Sequence, residues 1–217
     1  MHTELTNTDI IRFLKTKTYG AGFIDSLKIK YRSLICPFIS LIKMVQPGEK
    51  VGDVGCGSGQ FLLLLNEFSK PSYLYGIEIS ETLIDNANQL FRALPENCYD
   101  FEKYDGIIFP PRLGEMDVIF LIDVFHHVPT KGRPKFIQDL VKIMKPGCRL
   151  IFKDIDASSS LVYVNKLHDM LFAREIGNEI SFGKAKSLLI ENGLQIIDQE
   201  KRTIYVYPHY TIVAKKQ

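Results

Sequence analysis

The chain lacks any stretch that could cross a bilayer. Its longest apolar run, residues 34–45, is broken by Pro37, Ser40 and Lys43, whereas a span takes about 20 apolar residues. The start, Met1-His2-Thr3-Glu4, has neither the basic nor the apolar block of a secretory signal. A soluble, cytoplasmic protein without integral membrane association is therefore expected. Charge of one sign is also missing: 27 Lys and Arg face 25 Asp and Glu, a formal net charge of +2. That balance gives no electrostatic case for a nucleic-acid partner or a membrane surface. Cysteine is sparse. Cys36, Cys56, Cys98 and Cys148 form no CxxC pair, and no histidine cluster stands near them at zinc spacing. They read as reduced core or turn residues, and no metal is expected. There is no internal repeat and no low-complexity segment.

What is present is a globular composition. Apolar residues make up 46% of the 217 and charged residues 24%. A chain of this size buries roughly 70% of its unfolded surface without needing a staple. Short β-branched runs at residues 50–54, 73–79, 117–122 and 149–155 read as buried strands. Helical patterns lie between them at 61–68, 81–94 and 133–145. The second has Ser80 as N-cap and Ile84, Ala87 and Phe91 on one face, and Pro146-Gly147 stops the third. Residues 194–216 read as two strands joined at Tyr207-Pro208-His209, an antiparallel hairpin closing the sheet. Strand–helix–strand alternation implies right-handed crossovers and a parallel sheet covered on both faces. The expected fold is α/β: a Rossmann-like, seven-stranded, mostly parallel sheet with a C-terminal antiparallel hairpin. Residues 1–46 look like a helical lid or cap. Residues 47–217 form the main domain, with an amphipathic helical insertion at about 157–176. Ligands of such sheets bind beyond the carboxyl ends of the strands.

The first strand runs directly into Asp53-Val54-Gly55-Cys56-Gly57-Ser58-Gly59. Glycines there permit a sharp strand-to-helix turn and let a ligand approach bare backbone. The helix that follows offers unpaired N–H groups. About twenty residues on, the second strand ends at Glu78, placed to accept hydrogen bonds from ribose hydroxyls. The third glycine of a dinucleotide fingerprint is replaced by Gln60, and no Gly-Lys-Ser/Thr of a phosphate-binding loop follows.

These residues resemble the class I S-adenosylmethionine (SAM)-dependent methyltransferase family. The acid-GxGxG motif matches residues 53–59, the acid after the second strand matches Glu78, and the third-strand Asp matches Asp105-Gly106. The fourth strand matches residues 116–122, running on into Asp123-Val124-Phe125-His126-His127, and the fifth begins at Lys145-Pro146-Gly147. The likeness covers about residues 47–156. It implies SAM as cofactor, with S-adenosylhomocysteine as product. It implies Gly55, Cys56 and Gly57 beside the methionine part, and Asp53 interacting at that end. Glu78 and Ile79 would serve the ribose side, Asp105 and Gly106 the adenine, and Ile122 and Asp123 the methionine side. Gly52 departs from the family, which usually has a bulky aliphatic there.

Methyl transfer from a sulfonium is an in-line displacement, so alignment carries most of the catalysis. A hydroxyl nucleophile would also need a base. Asp123, His126 and His127, after the fourth strand, are the candidates; either histidine could instead pack at the next helix start. Asp154 could bind a substrate hydroxyl or cap a helix. His168 could touch substrate or pack in the core. Tyr19, Tyr31 and Arg32, near Gly20 and Gly22, suggest a lid; a plain covering hairpin is the alternative. Tyr163, Phe172, Tyr205 and Tyr207 are candidate pocket walls or core. The favoured function is methyl transfer to a small-molecule acceptor, and an apolar or lipid-like one would suit these walls. A non-catalytic SAM-binding regulatory module and an NAD(P)-dependent oxidoreductase are the alternatives.

Overall fold

A computed structural model describes residues 5–17, 36–159 and 178–217. In chain order its main elements are α1 (Asn7–Lys17), α2 (Phe38–Ile42), β1 (Lys50–Val54), α3 (Gln60–Phe68), β2 (Tyr73–Glu78), α4 (Glu81–Phe91), β3 (Tyr99–Lys103), β4 (Val118–Ile122), α5 (Arg133–Ile143), β5 (Arg149–Ile155), α6 (Phe182–Glu191), β6 (Leu194–Ile204) and β7 (Tyr207–Lys216). The seven strands form one sheet in the order β3-β2-β1-β4-β5-β7-β6. The first five are parallel, and β7 runs antiparallel to both β5 and β6. The expected fold class is present.

The strands are apolar on both faces because helices cover both. In β4, Val118, Phe120 and Ile122 join one core with α1, α2, α3 and α4. Ile119 and Leu121 join the other with α5 and α6. Ser80 caps α4 as its sequence predicts, its hydroxyl accepting the Leu83 N–H. The space that a side chain at Gly52 would take is filled from the opposite side. A Cβ there would stand 2.9 Å from Leu113 Cδ1 and 3.0 Å from Met116 Cγ. The bulk missing from β1 is therefore supplied by the one-turn helix Pro111–Glu115 and its C-cap, Met116.

The hairpin exists, but its turn is elsewhere. Tyr207, Pro208 and His209 are buried residues of β7, paired with Ile204, Thr203 and Arg202. Tyr205 and Val206 make the turn, with Tyr205 at φ +54°. Pro208 is tolerated because it sits at the start of its strand, where a missing N–H costs least. Its carbonyl still accepts the Asp156 N–H. Two elements, β3 and α6, are not marked by the sequence pattern, and others differ at their ends: α4 stops at Phe91, α5 at Ile143 and β2 at Glu78, and β4 starts at Val118.

Candidate active site

The glycine turn follows β1 at the carboxyl edge of the sheet. Gly55 and Gly57 have φ of +75° and +55°, the left-handed region that strains other residues. Their surroundings differ. A Cβ on Gly55 would stand 2.4 Å from Val124 Cγ2, so this glycine lets the turn pack against the end of β4. Among the described residues, a Cβ on Gly57 would meet nothing within 4 Å. No described side chain therefore covers the backbone at Gly57.

Glu78, at the end of β2, turns its carboxylate onto this loop. Oε2 accepts the Gly57 N–H at 3.0 Å, and Oε1 accepts the N–H groups of Ile79 and Ser80 at 2.8 and 3.1 Å. The residue is 8% exposed. Three backbone donors fix its direction. Beside it, Ile79 is 64% exposed, and across a short gap Ile107 and Ile108 are 69% and 72% exposed. Gly106 brings the two sides together: its Cβ position lies 4.0 Å from Ile79 Cγ2. Asp105 holds that loop, its Oδ1 accepting the N–H groups of Ile107 and Ile108 at 2.7 and 2.8 Å. The Ile108 and then the Ile107 N–H keep its carboxyl below the usual range.

Between the turn and β4 lies a cleft of about 370 Å³, open mouth included, lined by Asp53, Gly55, Cys56, Ser58, Gln60 and Ile122 with Phe38 and Phe61. Burial, followed by the Asp53 and Glu78 carboxylates, pushes the Cys56 thiol up. It stays protonated and is no nucleophile. Cys56 fills space beside Gly76 instead, where an added Cβ would stand 2.7 Å from Sγ.

Beyond β4 and β5 lies a polar cluster. Asp123, at φ +55°, receives Lys153 Nζ on both carboxylate oxygens at 2.6 and 2.7 Å. The Lys153 side chain is wholly buried and that of Asp123 is 26% exposed. Burial opposes ionisation of Asp123, but the Lys153 ammonium and then the His209 ring outweigh it, lowering this carboxyl to about 2. His126 Nδ1 lies 2.7 Å from Asp154 Oδ1, and its backbone N–H donates to Asp154 Oδ2 at 3.1 Å. His127 is exposed, with its ring 4.1 Å from that of His126.

The structure thus brings Asp53, Gly55, Cys56 and Ile122 to one cleft, with Gly57 and Glu78 hydrogen-bonded to each other on the turn beside it. Ile79, Asp105 and Gly106 lie along its flank, and Asp123, His126 and Asp154 in the adjoining cluster. Asp154 is fully buried and caps no helix among the described residues; its carboxylate serves His126 and the Ile155 N–H. Tyr19, Tyr31, Arg32, His168, Tyr163 and Phe172 lie outside the described residues, as does the insertion from residue 160 on. Sequence reasoning missed His209, which the hairpin register sets opposite Ile155, and Lys153 as the partner of Asp123. Only the buried charge of Lys153 within an apolar strand hinted at either.

A mostly parallel sheet with a bare-backbone turn after its first strand and a carboxylate after its second is the frame of a nucleoside-binding α/β domain. Residues 53–150 match a family model described as a methyltransferase domain. The 27-O-demethylrifamycin SV methyltransferase of Amycolatopsis mediterranei (strain S699) is 25% identical over 177 residues, covering 79% of this chain and 63% of that protein. The tRNA (carboxymethyluridine(34)-5-O)-methyltransferase of Mus musculus is 31% identical over 111 residues, half of this chain and 15% of that protein. The chain therefore spans less than two thirds of the length of these curated relatives. Among solved structures, magnesium protoporphyrin IX methyltransferase from Synechocystis PCC 6803, with bound S-adenosylhomocysteine, superposes with a TM-score of 0.70 at 23% identity, covering 99% of this chain and 96% of that one. Residues 53–150 are thus similar to methyltransferase domains, and the chain shares the fold of solved SAM-dependent methyltransferases.

Proposed function

We propose that this protein transfers the methyl group of SAM to a small-molecule acceptor. The observation that carries this reading is the Glu78 carboxylate fixed beside Gly57, whose Cβ position no described residue approaches within 4 Å. A ribose with two hydroxyls needs an anchored acceptor, and an amino-acid tail needs uncovered backbone; the two stand side by side here. The exposed faces of Ile79, Ile107 and Ile108 suit a flat heterocycle, since exposed apolar groups gathered at one site mark a binding surface. Asp105 Oδ1 is taken by backbone donors, which leaves Oδ2 for the adenine amino group. Asp53, Cys56 and Ile122 line the cleft where the methionine part would lie.

When bound, SAM supplies an activated methyl on a sulfonium. The protein's part is alignment, which is worth about 7–11 kcal/mol in well-oriented systems. Asp123, paired with Lys153 through both carboxylate oxygens, follows the cleft-lining Ile122 and holds the end of β4 to β5. Two of the matched proteins are named for transfer to oxygen, which favours an oxygen acceptor. The tRNA enzyme is matched over only 15% of its length, and the near-neutral charge balance favours a small acceptor over a nucleic acid.

The test is incubation with methyl-labelled SAM and a library of small hydroxyl, carboxyl and amine compounds, with NAD turnover assayed in parallel. Label transfer with no NAD reduction supports the reading. SAM binding without transfer to any acceptor supports a regulatory module instead, and NAD reduction would overturn the assignment.

A further inference from the structure

The sheet ends in two unlike strands. β3 at one edge has 5 residues and β6 at the other has 11, where strands usually run to about 5–6. Among the described residues no strand pairs with the outer side of β6. The direction of its amide groups follows from β7. There the Pro208 carbonyl accepts the Asp156 N–H and the Lys216 N–H donates to Cys148, so the even-numbered residues of β7 face β5. The odd-numbered ones, His209 and Thr211, face β6, and their partners Arg202 and Glu200 turn their amide groups inward. Gln199, Lys201 and Thr203 therefore point their N–H and C=O groups outward. The Gln199 N–H agrees with this: it donates to Asp198 Oδ1 at 2.8 Å, a bond that a neighbouring strand would exchange. An open edge of this length is a template for a further strand.

We propose that β6 pairs with β6 of a second copy of this chain, antiparallel and centred on Lys201, so that the two seven-stranded sheets run on as one. Outward amide groups must meet outward amide groups. About a two-fold axis at Lys201, Gln199 stands opposite Thr203 and Glu200 opposite Arg202. The charges then complement each other. Arg202 Nε already lies 3.2 Å from Glu200 Oε1 of its own strand, with side chains 52% and 43% exposed; the second copy completes an alternating ring of both pairs. Moving the axis by one residue sets Glu200 against Glu200 or Arg202 against Arg202, and like charges directly opposite are unfavourable. Repulsion between the two Lys201 ammonium groups is offset, since each is drawn to its own Asp156 Oδ2 at 2.6 Å and lies over the Phe182 ring. At both ends the same register carries Ile197, at the bulge of β6, toward Tyr205 of the turn. These are exposed large apolar side chains, at 47% and 74%. Charges on an edge ordinarily keep other strands away; this alternation repels out of register and attracts in one. A two-fold contact of this kind closes on itself. Antiparallel pairing turns the carboxyl edges of the two sheets to opposite ends, so neither cleft faces the other.

Analytical ultracentrifugation of the full chain over a concentration series reads the association, with thermal unfolding as the check on folding. Wild type should be a dimer in reversible equilibrium with monomer, as a contact of modest area gives. Thr203→Pro removes an outward N–H that β7 does not use, so it should weaken the dimer about tenfold or more while the fold is kept. Glu200→Arg alone and Arg202→Glu alone should each weaken it about tenfold or more, because like charges then face each other across the axis. Mixed in equal amounts, these two variants should dimerise again as a heterodimer, since each supplies the charge that the other lacks. A merely structural role for either residue would not produce that rescue. Wild type that stays monomeric at every concentration overturns the proposal. So does a dimer that Thr203→Pro leaves unchanged, or a mixture of the two charge variants that stays monomeric. If Thr203→Pro does not fold, the charge-variant mixture decides.

Discussion

Gly55 lies directly under Val124: the Cβ that any other residue would carry is 2.4 Å from Val124 Cγ2. Two residues on, Gly57 has the same handedness and no described residue within 4 Å of its Cβ position. One glycine serves packing and the other leaves room for a ligand, so substitution separates the two roles. Gly55→Ala should unfold at a lower temperature, by several degrees, since left-handed strain alone costs about 1–2 kcal/mol and a steric overlap adds to it. Gly57→Ala carries only the strain and should keep most of the stability, yet lose SAM affinity by more than about tenfold. Differential scanning calorimetry and binding calorimetry on the same two proteins check both. Equal affinity loss with equal destabilisation would contradict the division.

The Asp123–Lys153 pair makes a prediction in acid. The folded Asp123 carboxyl titrates near 2, below its ordinary value of 3.8. A depressed carboxyl contributes stability that is present above the unfolded value and lost as pH falls toward the folded one. Wild type should therefore lose about 2 kcal/mol between roughly pH 4 and pH 2 through this group alone. Asp123→Asn lacks that slope. It should also be less stable at neutral pH, by about 3–5 kcal/mol, because a wholly buried ammonium is left uncompensated. Urea unfolding across that pH range measures both effects.

Lys216, the last residue of β7, donates from Nζ to the carbonyls of Val141, Lys142 and Met144 at 2.8, 3.3 and 2.6 Å. These are carbonyls at the end of α5, where a cation completes the helix. Lys216→Met should cost about 1 kcal/mol in stability and leave SAM affinity untouched. Loss of affinity would mean that the carboxyl edge of the sheet responds to its far end.

Much of this was readable in the residues. β1 and β5 lie where β-branched periodicity sets them, and Ser80 caps α4 as its side chain dictates. The glycine turn and Glu78 are local signals, since strand, bend and acid follow in order along the chain. What was illegible is non-local. Nothing near Asp154 announces His126, 28 residues earlier; the acid looked like a helix cap because caps are the commoner use of Asp after a strand. Lys153 finds Asp123 only once β4 and β5 lie side by side. α6 escaped because it buries only Ala185 and Leu189, too short a stripe for periodicity to register. Pro208 misled in the other direction: proline is a turn signal, but here Tyr205 and Val206 make the turn, and the proline takes a strand start where its missing donor costs little.

The central claim is that Glu78 and the bare backbone at Gly57 hold the nucleoside and amino-acid parts of one ligand. Titrating S-adenosylhomocysteine calorimetrically into wild type and into Glu78→Gln tests it most directly. The account predicts saturable binding to wild type and a weakening by about 10–100-fold in the variant, the worth of charge-assisted hydrogen bonds to two ribose hydroxyls. A variant that binds as tightly as wild type, or a wild type that binds NAD in preference, would contradict it.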